Sequence, residues 1–244
     1  MKKILVLSLV LLLFTFFIGP LNSKKVKAQK ENITLKTFVH YPKEPGRPDP
    51  VSNCTQTTND QISDWGSAGW TMPVSGMKYQ INLGSKPKNL SSEQTQTAIQ
   101  NSFAAWHEAD PDQIFIDDGT TTIKAAKFDG TNVILWKGIS GNALAITYSW
   151  YNTLTGELVE ADTAFNKNYK WSVADPAMGD CGGTTGTYDV RNIGTHEFGH
   201  WIGLDDLYSA ADKDLTMYGY GETAELKKDS LGFGDINGAN TIAP

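Results

Sequence analysis

Residues 77–84, MKYQINLG, alternate apolar and polar side chains with the period of two that a half-buried strand requires. The period then lengthens. In SSEQTQTAIQNSFAAWHEAD, Ile99, Phe103 and Trp106 recur at spacings of four and three, and Ser91 with Gln94 supplies a capping-box pair, so a helix is predicted. Further strands are expected at residues 132–136 and 143–150, and TGELVEADTAFN adds a turn and one more. A helix then begins near Asp189, and residues 235–242 form a last short helical candidate. Strand, helix, several strands and helix in that order predict an α+β, mixed-sheet layered domain.

The first 64 residues follow a different pattern. Lys2 and Lys3 precede a run of about fifteen apolar residues that ends at Gly19-Pro20. A membrane-spanning helix needs roughly twenty, so the run reads as a secretory signal, with Val26 and Ala28 fitting cleavage after Ala28. No second apolar stretch follows, so the mature chain, residues 29–244, is expected to be secreted, without stable membrane insertion. Residues 29–64 are polar, and the four prolines of YPKEPGRPDP forbid a helix interior and disfavour a central strand. That stretch reads as a pro-segment or extended leader, and the globular composition begins near Trp65, giving one domain over residues 65–244.

Removing residues 1–28 takes away five lysines and no acid, which leaves 16 basic residues against 27 acidic and moves the formal charge from −6 to −11. An acidic chain of this kind is a poor partner for nucleic acid and keeps itself soluble, and a monomer is expected. Cys54 and Cys181 are even in number and lie in a chain bound for an oxidising compartment, so a disulfide is expected between them. Its long loop would contribute about 4 to 5 kcal/mol on chain-entropy grounds.

The chemistry concentrates in HEFGHWIGLDD, residues 196–206. Helical positions four apart stand one turn above each other, so His196 and His200 project from one face and can bind one metal ion together. Glu197 lies about 100° further round the helix. There a carboxylate can take a proton from metal-bound water and pass it to a leaving amine. Val190, Gly194, Phe198, Trp201 and Ile202 fall on the other side and would bury it. Gly203 can adopt positive φ, end the helix and turn the chain back. Asp206 would then reach the same ion, giving two nitrogens and one oxygen and leaving a position open for water, as in a catalytic zinc site. Asp205 is the neighbouring alternative.

With HEFGHWIGLDD and the later TMYGY, the sequence resembles the metzincin metallopeptidases, most closely the matrixin-like branch, which carry HExxHxxGxxH followed by a methionine turn. The resemblance implies a zincin catalytic domain: a twisted mixed sheet with an active-site helix, a packing helix and a short C-terminal helix. It also implies a secreted endopeptidase with one catalytic Zn2+ that acts on proteins or peptides. Met217 matches the methionine that forms an apolar floor under the metal. MKYQINLG, AIQNSFAAW, NALAITYSW and LGFGDINGA each look like matrixin elements, NALAITYSW resembling the edge strand that pairs with an extended substrate. The sequence departs from the family in having Asp206 where most members have a third histidine, a departure shared with snapalysin-like enzymes. Tyr220 stands where astacin-like and serralysin-like relatives place an oxyanion-stabilising tyrosine, and Tyr218 matches the structural tyrosine after the methionine.

Other readings compete with these. A pro-segment cysteine holds matrixin zymogens inactive, but DPVSNCTQ around Cys54 lacks the family's switch motif, and that role would strand Cys181. Ca2+ is common in the family, and ADPDQIFIDDG and AMGDCGG could supply oxygens, although neither has loop-motif spacing and both read as solvated turns. A thermolysin-like peptidase would take Glu222 or Glu225 as third ligand and leave Gly203, Asp206 and Met217 without a role. A secreted binding or adhesion protein on the same fold would have no need of Glu197.

Overall fold

The first strand, β1 (Ile33–Pro42), comes from the stretch read as a pro-segment or leader, and the compact unit opens with it at Ile33. ITLKTFVHYP is rich in β-branched and aromatic residues and reaches its proline only at its last position, so it pairs well as a strand. The computed structural model describes residues 32–43, 58–174, 183–242 and 244. The remaining elements are β2 (Met77–Ile81), α1 (Ser92–Ala109), β3 (Phe115–Thr120), β4 (Val133–Lys137), β5 (Ala145–Asn152) and β6 (Glu157–Asn166). After them come β7 (Trp171–Ser172), β8 (Tyr188–Asp189), α2 (Val190–Ile202), β9 (Tyr220–Gly221) and α3 (Phe233–Thr241).

Seven strands form one mixed sheet in the order β3-β2-β4-β6-β5-β1-β9. β3, β2, β4 and β6 run parallel, β5 is antiparallel to β6 and to β1, and β1 is parallel to β9. The short β7 and β8 pair separately. β3 falls in the stretch read as solvated turns. It is an edge strand whose side chains are mostly exposed, which is why its composition hid it.

β4 shows how the sheet is covered on both faces. Ile134 and Trp136 point into the main core, while Val133 and Leu135 join a smaller cluster on the opposite face with Ile139, Ala143 and Ala164. α1 and α2 pack together in the main core. Phe103 of α1 stacks on Phe198 of α2 with ring centroids 3.8 Å apart, and Trp106 Nε1 donates to Thr195 O at 2.8 Å. Ser91 caps α1 by accepting from Gln94 N. Among the described residues, no helix is long and apolar enough to cross a membrane.

Candidate active site

Asp189 starts α2 by accepting from the amides of Arg191 and Asn192, at 2.8 and 3.0 Å. The helix is buried on nearly every side, with Val190, Ile193, Phe198, Trp201 and Ile202 in the core. His196 and His200 stand on its remaining face, ring centroids 5.0 Å apart. Gly203 ends the helix with φ 103°, and a Cβ there would lie 2.1 Å from Trp70 O, so only glycine fits. The reversal brings Asp206 Oδ1 to 3.2 Å from His196 Nε2 and 3.6 Å from His200 Nε2. One ligand atom from each of the three lies within 4.8 Å of the others, the spread a single cation can bridge.

Hydrogen bonds behind the rings set their tautomers. His196 Nδ1 donates to Thr216 O at 2.8 Å and His200 Nδ1 to Leu204 O at 2.9 Å. A carbonyl can only accept, so each proton sits on Nδ1 and each Nε2 turns a lone pair to the gap. Both Nε2 atoms, Asp206 Oδ1 and Glu197 Oε1 are buried without a hydrogen-bond partner. The two Nε2 atoms and Asp206 Oδ1 converge; three orphaned acceptors facing one another are costly, and a cation between them relieves all three at once. Burial lowers the pKa of His196 to about 4 and lowers that of His200, which keeps both rings neutral. Two neutral imidazoles and one carboxylate suit zinc.

The turn beneath the site is fixed from α3. Asp235, in the first turn of that helix, accepts from the amides of Thr216 and Met217 at 2.8 and 3.0 Å. Thr216 thereby presents its carbonyl to His196. Met217 is buried and lies so close to Gly199, between the two histidines, that a Cβ there would meet its sulfur at 2.2 Å.

Glu197 is buried completely, which raises its pKa to about 8 against the opposing hydrogen bond from Thr147. Thr147 Oγ1, on β5, donates to Glu197 Oε2 at 2.6 Å and lies 2.8 Å from Thr163 Oγ1 on β6. Trp201 Nε1 donates to Thr163 Oγ1 at 3.0 Å. These bonds form one directed relay, Trp201 to Thr163 to Thr147 to Glu197, which pins one carboxylate oxygen and leaves Oε1 at the site.

The matrixin family model matches residues 70–242. The chain belongs to the matrixin family. No curated protein matches it. Membership makes it a zinc metallopeptidase by family, with a catalytic zinc and protein substrates implied. The matched stretch holds β2 through α3, and β1 lies outside it.

Within this matrixin domain, the other residues singled out in the sequence fall as follows. Asp205 turns away from the histidines to pair with Lys36 at 2.8 Å. Glu222 pairs with Lys43, and Glu225 pairs with Lys227 at 3.0 Å, so neither joins the histidines. Tyr220 lies in β9, its ring between those of Tyr208 and Tyr218. The hydroxyl that meets the metal group belongs to Tyr208, which donates to Asp206 Oδ2 at 3.1 Å. Sequence reasoning missed Tyr208, Thr147 and Asp235; only Tyr208, two residues beyond Asp206, carried a local signal. In ADPDQIFIDDG, Asp110 accepts from Asp112 N and Gln113, and Asp117 from Gln96, Gln100 and Gly119 N. Cys54, Cys181 and most of AMGDCGG lie outside the described residues.

β1 crosses the site. Phe38 stacks on His200 and His40 packs on His196 at 3.9 Å between centroids, with His40 Nδ1 3.4 Å from Glu197 Oε1. His40, His196 and Glu197 form a second group with metal-competent spacing. Burial, then His196, lowers the His40 pKa well below its ordinary value.

Proposed function

We infer that this matrixin is a secreted endopeptidase that hydrolyses peptide bonds in proteins, with His196, His200 and Asp206 as zinc ligands and Glu197 as general base. The observation that carries this reading is the convergence of three buried, unpartnered acceptor atoms, His196 Nε2, His200 Nε2 and Asp206 Oδ1, with the unpartnered Oε1 of Glu197 buried on the same helix. Zinc held there supplies a Lewis acid and lowers the pKa of water at the open position. Glu197 takes a proton from the attacking water and hands it to the leaving amine, with Thr147 keeping its free oxygen aimed at the site. Met217 and Asp235 hold the floor and the turn that orient His196. Residues 1–28 direct export, and residues 29–64 act as a pro-segment whose β1 covers the site.

Glu197→Gln tests the reading. The variant is expected to keep one zinc per chain by elemental analysis while casein turnover falls by a factor of about 100 or more. Unchanged turnover would reject the general base. A native chain that holds zinc yet shows no chelator-sensitive cleavage of any protein, even after β1 is released, would be a binding protein on this fold.

A further inference from the structure

β1 lies where an extended peptide would. It runs antiparallel to β5 from Ile33 opposite Asn152 to His40 opposite Ala145, and Leu144 N donates to His40 O at 2.7 Å. Beyond that point it is held from the other side, with Tyr41 N donating to Gly219 O at 3.3 Å and Lys43 N to Gly221 O at 2.9 Å. The strand therefore passes His200 with Phe38 and His196 with His40, crossing the site at Val39. A peptide that took the place of β1 along β5 would follow the same line. The side chain at position 40 then marks the pocket just past the crossing.

That pocket has apolar walls and a cationic end. A Cβ on Gly221 would sit 2.9 Å from Ile193 Cδ1, 3.3 Å from Leu144 Cδ1 and 3.1 Å from His40 Nε2, which places all of them around one space. Lys228 closes it, fully buried. Its ammonium donates to Tyr218 O, to Tyr220 O at 3.0 Å, and to His40 Nε2 at 3.2 Å. An ammonium has three N–H bonds. Two are committed to the backbone around β9, and the third goes to the pocket's occupant. Neighbouring Glu225 is engaged by Lys227, and among the described residues no carboxylate pairs directly with Lys228.

We propose that Lys228 is a specificity-determining residue: its pocket selects a substrate side chain with a hydrogen-bond acceptor at its tip, namely histidine, glutamine or glutamate. The selection rests on the peptidase reading above. In all three side chains the acceptor stands four bonds from Cα, whereas asparagine and aspartate stop one bond short. Leucine or methionine fills the volume but leaves a buried, charged N–H without a partner, and a site built around a hydrogen bond rejects such analogues strongly.

The full chain tests this without turnover, because hydrogen exchange along the β1–β5 ladder reports how firmly the occupant is held. His40→Leu is expected to speed that exchange at least about tenfold, and His40→Gln to stay within about threefold of the native chain. Adding Lys228→Met to His40→Leu should restore slow exchange. If His40→Leu alone exchanges as slowly as the native chain, the proposal falls. A panel of peptides spanning residues 34–45, varied at position 40, then reads kcat/KM. Glutamine or glutamate favoured over leucine by at least about tenfold supports the selection, and equal rates or a preference for leucine overturn it. Should no peptide be cut while the exchange ordering holds, the peptidase reading fails and the pocket's selection stands.

Discussion

Phe38 lies flat on His200, ring centroids 3.8 Å apart and planes within 8° of parallel. A side chain from the far N-terminal end of the fold thus roofs an imidazole of the metal group, while His40 roofs the other. A tethered strand competes at an effective concentration of about millimolar, well above a micromolar substrate. Phe38→Asp, which sets a carboxylate against the buried ring, is therefore expected to raise cleavage of a fluorogenic peptide by the full chain about tenfold or more. A synthetic peptide of residues 32–43 added in trans should lower it again. Native-level cleavage by Phe38→Asp would show that β1 does not gate the site.

The relay behind Glu197 makes a second prediction. Thr147→Val keeps the shape of the side chain but removes the donor to Glu197 Oε2, and a hydrogen bond to a charged group is worth about 1.5 to 3 kcal/mol. Turnover is expected to fall roughly ten- to a hundredfold with KM and zinc content nearly unchanged. A variant that loses zinc, or that changes KM alone, would show Thr147 to be structural and not an orienting residue.

What the sequence disclosed was local. The spacing of His196 and His200 and the positive-φ stop at Gly203 each depend on residues a few positions apart and formed as read, while at Ser91 the cap formed through the amide of Gln94 alone and not as the reciprocal box. β1 depends on a ladder to β5 more than a hundred residues away, so its composition could not reveal a place over the metal group. Thr147 meets Glu197 only because β5 passes beneath α2, a register that periodicity does not encode. Lys228 stands beside a second lysine, Lys227, and nothing in their local sequence distinguishes the two, yet packing buries Lys228 completely.

Asp205 and Asp206 are adjacent and chemically identical, and their surroundings separate them. Asp205 is bound to Lys36, and Asp206 faces both imidazoles and takes a hydrogen bond from Tyr208. Asp206→Ala should weaken zinc binding more than about 100-fold, Tyr208→Phe by about tenfold, and Asp205→Ala hardly at all. Competition with a chromophoric chelator measures all three. Zinc affinity that drops for Asp205→Ala and survives Asp206→Ala would exchange the assignments.

Asp162 makes the fold itself sensitive to pH. It is buried in β6 and accepts from Lys127 N and Val133 N, each at 2.8 Å, tying the segment before β4 to the sheet. Burial raises its pKa to about 7 in spite of those bonds, with Glu160 and Asp129 adding to the rise. In the unfolded chain an aspartate titrates near about 4, so the folded state binds this proton more tightly. The resulting stability is fully present below about pH 4 and is lost as pH climbs through about 7. The melting temperature, measured in a Glu197→Gln background to prevent self-digestion, should therefore carry a downward component between pH 5 and pH 8. Asp162→Asn should remove that component and also melt lower at pH 5, since its amide nitrogen cannot accept from the second backbone N–H. Parallel melting curves for the two chains across this range would show that Asp162 titrates normally in the folded protein.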